Sequence, residues 1–200
     1  VSTDRPDSPP VSLGGHAAEN LSFIRQTMER GATFTAVPGV GGCVMGAIAL
    51  VAAAVGSWQL TPERWLLTWL GAAAIAAAVG LTAMARKARH AGATLTGANA
   101  RRFAAGLAAP FVAGAAITYE LWAVGAFSVM PAVWLLLYGA GLVTGGIVSV
   151  PAVRWIGGLF MLFGVAAMLT PPEWGDIWLA LGFGGLQVGF GVYIARNHGG

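Results

Sequence analysis

The side chains able to do acid–base, metal or nucleophilic chemistry are few, and their spacing gives them little to do together. The histidines are His16, His90 and His198. None lies inside an apolar stretch, and none stands at i, i+4 from another ligand type, as a helical metal site requires. Haem and chlorophyll in membranes are held by histidines within helices, so those cofactors are disfavoured. Cys43 is the one cysteine. It can form neither an intrachain disulfide nor a redox pair, and inside an apolar run it reads as a packing residue. Glu120 is read as the one carboxylate inside an apolar helix. It stands 18 residues after Arg102, about 27 Å along a helix, and so near an interface rather than the midplane. It reads as a solvated helix end or, with Tyr119, as a proton or cation site of a small transporter. Gln187 and Thr144 are neutral polar groups deep in helices and suit interhelical hydrogen bonding. No P-loop, zinc-protease motif or nucleophile elbow is present. The expectation is a non-enzyme with no catalytic residue, no metal and no cofactor beyond bound lipid.

Composition says why chemistry is scarce. Of 200 residues, 56% are hydrophobic and 10% charged, with mean hydropathy +0.71. A soluble domain carries about 25% charged residues. This chain cannot wet the surface of a soluble globule, and an integral membrane protein remains. Its 11 Lys and Arg are too few for a nucleic-acid groove.

Six apolar runs follow, at about 34–58, 65–84, 103–124, 131–150, 152–169 and 174–194. Each is long enough to cross about 30 Å of hydrocarbon as a helix. Nothing alternates as a transmembrane barrel would. The fold class is therefore all-α, a polytopic bundle of six transmembrane helices over residues 32–200. The breaks have local causes. Pro131 suits the first turn of helix four, Pro151 ends its ladder, and Thr170-Pro171-Pro172 stops helix five.

Six crossings put Arg5, Arg25, Arg30, Arg86, Lys87, Arg89, Arg101, Arg102, Arg154 and Arg196 on one side and Arg64 alone on the other. By the positive-inside rule both termini are expected to be cytoplasmic, in a bacterial inner membrane. The basic loop from Arg86 to Arg102 suits anionic headgroups or an acidic partner. Trp58, Trp65, Trp69, Trp122, Trp134, Trp174 and Trp178 fall near the opposite ends and read as an interfacial belt. The same rings leave room for a pigment or quinone at a subunit interface.

Leu60-Thr61-Pro62-Glu63-Arg64-Trp65 with Trp69 echoes Leu169-Thr170-Pro171-Pro172-Glu173-Trp174 with Trp178. The echo over 60–71 and 169–182 is either a repeat or convergence on one good turn. Gly42 and Gly46, Gly141 and Gly145, and Gly185 and Gly189 are small-xxx-small pairs, which let helices approach closely. Ala72, Ala76 and Gly80 continue the theme.

Residues 1–15 are polar and Pro-rich, lack a signal-peptide core, and should not order unless something holds them. Over 16–31, Leu21, Ile24 and Met28 recur at helical spacing and predict a short amphipathic cytoplasmic helix ended by Gly31. It suits the membrane surface or a partner.

The run Glu19-Asn20-Leu21-Ser22-Phe23-Ile24-Arg25-Gln26-Thr27-Met28-Glu29-Arg30, then Phe34-Thr35-Ala36-Val37-Pro38-Gly39, resembles the opening of an uncharacterised family of six-span bacterial membrane proteins. The end, Gly182-Phe183-Gly184-Gly185-Leu186 through Ile194-Ala195-Arg196 to Gly199-Gly200, is similar as well. The resemblance covers 19–200 and implies topology without catalytic residues. Some members carry His where this chain has Gln187, so no His-based ligand role carries over. Genes of the family often accompany transcriptional regulators. Three functions are therefore expected, in order: an accessory subunit of a photosynthetic or respiratory inner-membrane complex, contacting lipids and other subunits; a membrane sensor binding a cytoplasmic protein; and a transporter using Glu120.

Overall fold

The computed structural model describes residues 21–24, 28, 34–90 and 96–198. The chain divides into two units between Ala32 and Thr33. In the first, residues 21–24 and 28 are helical, and Leu21, Phe23, Ile24 and Met28 are exposed. The tail 1–15 lies outside the described residues, as do His16, Arg25, Arg30 and Gly31 of the helix expected over 16–31.

The second unit holds six helices long and apolar enough to cross a membrane. They are α1 (Gly39–Gly56), α2 (Pro62–His90), α3 (Ala98–Ala123), α4 (Met130–Gly145, extended by 3-10 turns to a span of Phe127–Val148), α5 (Pro151–Leu169) and α6 (Pro172–Asn197). Among the described residues no strand forms; Phe34 and Ser149 make one isolated bridge. Prolines open helices where their missing N–H is harmless. Pro131 lies in the first turn of α4 and Pro151 in that of α5. Thr61 accepts the Arg64 N–H at 3.4 Å at the start of α2. Gly125, at φ +73°, makes the turn from α3 to α4 that other residues resist.

Three boundaries correct the sequence reading. Phe34 to Pro38 are not helical; they form a strap whose Phe34 N–H donates to Val148 O at 2.8 Å. The expected basic loop is mostly helix. Arg86, Lys87, Arg89 and His90 end α2, and Arg101 and Arg102 begin α3. At the C-terminal turn of α2 the basic side chains complement the macrodipole; Arg101 and Arg102, near the N-terminal end of α3, gain nothing from it. Within α6, Ala180–Leu186 winds as a π-helix.

Adjacent helices run antiparallel. α4 packs on α5 and α3, and α1 packs on α6 and α2. Glycine sets the closest approaches. A Cβ on Gly139 would stand 2.6 Å from the Gly157 carbonyl oxygen, and one on Gly157 2.8 Å from that of Gly139, so α4 and α5 touch backbone to backbone. Gly46 meets α6 at the Gly184 carbonyl, and Gly191 meets α1 at Gly39 and Cys43. The core between them centres on Leu135, Phe160, Leu179 and Ile194. α2 and α3 lie outermost; α3 buries only 6% of its most apolar window, against 44% for α1.

Candidate functional site

α3 runs through Pro110 without a break. A proline donates no hydrogen bond to the carbonyl four residues earlier, here Gly106. The Thr144 hydroxyl of α4 has one proton and three acceptors in reach: Gly106 O at 2.8 Å, and Ala140 O and Gly141 O of its own helix at 2.9 and 3.1 Å. The shortest of these contacts crosses to α3 and offers the donor that Pro110 lacks, in keeping with the interhelical bonding expected of Thr144.

Two polar centres lie further along the bundle. The deeper one joins α4 to α6. Tyr138 donates its hydroxyl to Gln187 Oε1 at 3.4 Å. Phe111, Phe160 and Phe183 surround the tyrosine ring at centroid distances of 6.0, 4.8 and 5.0 Å. Gln187 follows directly on the π-helical turn. π-Turns recur where a helix face must be re-aimed, often at functional positions.

The second centre occupies the end where α2 and α6 begin. Trp65 and Trp69 of α2 both donate their indole N–H to Asp176 Oδ1 of α6, at 2.8 and 3.1 Å. Trp134 of α4 stacks on Trp65 at 5.5 Å with rings 4° apart, and donates to Thr118 Oγ1 of α3 at 2.8 Å. Gly56 of α1 lets the group close, since a Cβ there would stand 3.2 Å from Trp69 Nε1. One network therefore ties α2, α3, α4 and α6 together beside the end of α1. Trp178 adds a separate tie, donating to Thr170 Oγ1 at 2.8 Å.

These contacts correct the interfacial belt. Trp58, Trp122 and Trp174 are exposed, but Trp69 is buried and Trp65, Trp134 and Trp178 are half-buried. An indole N–H prefers an acceptor to lipid, and Asp176, Thr118 and Thr170 supply acceptors inside. Asp176 is the residue that sequence reasoning missed. It lies within the sixth apolar run, so Glu120 is not the one carboxylate in a helix. The signal was there: Asp176 falls at the opening of α6, at the same end as Trp65 and Trp69.

An open cleft of about 370 Å³ lies over this network. The turns at 57–62 and 172–176 both contribute to it, and its lining includes Gln59, Leu60, Trp65, Phe127, Glu173 and Asp176. The two turns echo each other in sequence but not in structure. Pro62 starts an α-helix, whereas Pro172–Trp174 is a 3-10 turn.

The remaining predicted residues lie elsewhere. Glu120 is exposed near the end of α3 and does not line the cleft. Arg86, Arg89, Arg101 and Arg102 are exposed at the opposite end, and Lys87 donates to Val37 O of the strap at 3.0 Å. Gly42 and Gly46 face α6, and Gly141 and Gly145 face Leu107 and Phe103 of α3. Gly185 and Gly189 touch no other helix, so this expected pair is corrected. The α6 glycines in contact with other helices are Gly175, Gly182, Gly184 and Gly191. Among the described residues, no group of three or more His, Cys, Asp or Glu could hold a metal.

No protein-family model matches the sequence, and no curated protein or solved structure matches it either.

Proposed function

We propose that the chain is a non-enzymatic accessory subunit of a larger inner-membrane complex, photosynthetic or respiratory, contributing helix packing and lipid contacts. The observation that carries this reading is the make-up of the outermost helices. α2 exposes Gly71, Ala73, Ala74, Ala77 and Ala78, and α3 exposes Ala104, Ala105, Ala108 and Ala109. Large apolar side chains stand exposed on the same helices, Leu67, Ile75, Leu81 and Val112 among them, and suit lipid; the small residues between them suit close approach by a neighbouring helix. Ten basic residues against one support an arrangement with both termini cytoplasmic, and the family resemblance of 19–200 is consistent with a bacterial membrane. Extraction in mild detergent followed by native electrophoresis tests the proposal. It predicts co-migration with other membrane subunits; a lone monomer from native membranes overturns it.

A second reading, a sensor that binds a cytoplasmic protein, is favoured by the strap. Ser149 donates to Phe34 O at 2.7 Å, and the Phe34 ring packs on Phe103 at 4.8 Å. A partner pulling on the chain before Phe34 would load the joint between α4 and α5. Deleting residues 1–30 without loss of any partner counts against this reading.

A further inference from the structure

The cleft over the tryptophan network has the chemistry of a receptor for organic cations, and three separate observations converge on it. First, Asp176 is only half used. Both indole N–H groups go to Oδ1; Oδ2 receives no donor among the described residues and stays open on a residue that lines the cleft. Glu173 lines the same cleft, and among the described residues no basic side chain pairs with either carboxylate.

Second, charge is sorted along the whole bundle. Among the described residues, Glu63, Glu120, Glu173 and Asp176 all lie at the tryptophan end, opposed by Arg64 alone. Arg86, Lys87, Arg89, Arg101, Arg102, Arg154 and Arg196 lie at the other end. Clefts lined by one sign of charge concentrate ions of the opposite sign.

Third, the lining is mixed. Leu60, Trp65, Phe127 and Pro131 give an apolar wall beside the carboxylates. A calcium ion wants six to eight oxygen ligands, which two carboxylates do not approach. A cation with an apolar body uses both kinds of surface, and a volume of about 370 Å³ suits a small molecule.

We propose that this cleft binds a small primary ammonium ion, with Asp176 Oδ2 and Glu173 taking its N–H groups and Leu60, Trp65 and Phe127 covering its apolar body. Asp176 then has two tasks. Oδ1 holds the tryptophans in place, and Oδ2 meets the ligand. The site uses only the first turn of α2, at Pro62 and Trp65, and none of the small residues from Gly71 onward that the proposed subunit contact uses, so it does not rest on that reading.

The test is calorimetric titration of the full chain in phosphatidylcholine nanodiscs with benzylammonium chloride, with empty nanodiscs subtracted. Saturable binding of one benzylammonium per chain is expected. Benzyl alcohol, the same shape without the charge, is expected to give none. Asp176→Asn should weaken binding roughly tenfold, as for one lost charge-assisted hydrogen bond. Glu173 lies outside the tryptophan network, so Glu173→Gln tests the site with the fold intact; about threefold weakening is expected there. Equal binding of benzyl alcohol overturns the proposal. So does an affinity unchanged in both variants, or displacement by an equal concentration of potassium ions.

Discussion

The two polar centres of the bundle solve the same problem in opposite ways. Asp176 is charged, sits at the mouth of a cleft and is held by two indole donors. Tyr138 and Gln187 are neutral, lie deep between α4 and α6, and are enclosed by three phenylalanines. An ionised carboxylate loses too much hydration to sit where the tyrosine does, but it persists where water reaches one oxygen. The neutral pair carries no charge to desolvate, and one hydrogen bond joins the tyrosine hydroxyl to the amide oxygen. The difference teaches that depth selects the chemistry. Charge is kept to the rim, where it can meet a ligand, and neutral bonding is kept to the interior, where it can only hold helices together.

The comparison can be broken most forcefully at the enclosure. Phe160 is fully buried and touches both Tyr138 and Phe183. Phe160→Ala should cost about 3–5 kcal/mol, read as a fall in the detergent denaturation midpoint. A loss no larger than that of a surface change would mean the centre is not sealed. Next comes the rim. Asp176→Ala leaves two indole donors without their acceptor and should cost about 2 kcal/mol, with tryptophan fluorescence shifting to the red as Trp65 and Trp69 meet water. An unshifted spectrum would show that the indoles do not depend on Asp176. Smaller again is Tyr138→Phe, which removes one long hydrogen bond and should cost about 0.6 kcal/mol, the average for such bonds in membranes. If it proves costlier than Asp176→Ala, the ranking of the two centres reverses. Thr144→Val should cost about the same amount. It returns Gly106 O to the unpaired state that Pro110 imposes, and amide exchange around Pro110 should quicken.

Hydropathy and the placement of Arg and Pro carry the six helices and their order, while charged turns continue helices past their apolar runs. What they do not carry is azimuth, the direction in which each residue leaves its helix. Trp65 and Trp69 look like interfacial anchors until Asp176 is seen across the gap, and no window along the chain joins residues 107 positions apart. Gly185 and Gly189 fail for the same reason: counting by four puts them on one face, as the structure does, but cannot say which face. Theirs turns outward, while Gly184 and Gly191, seven residues apart, meet α1. The strap at Phe34 was hidden because its apolar residues extend the first run without a break in composition.

That strap also has a schedule. Phe34 and Ser149 are 115 positions apart, so the tie between them cannot close until α4 has been made and the chain has turned toward α5. At ordinary synthesis rates of about 5–20 residues per second, the wait is on the order of ten seconds. For that interval Phe34 has been made and the partners it ties to, Val148 and Ser149, have not. Closing the tie is then a late event in biogenesis, and it reports that the fourth helix and the turn after it are in place.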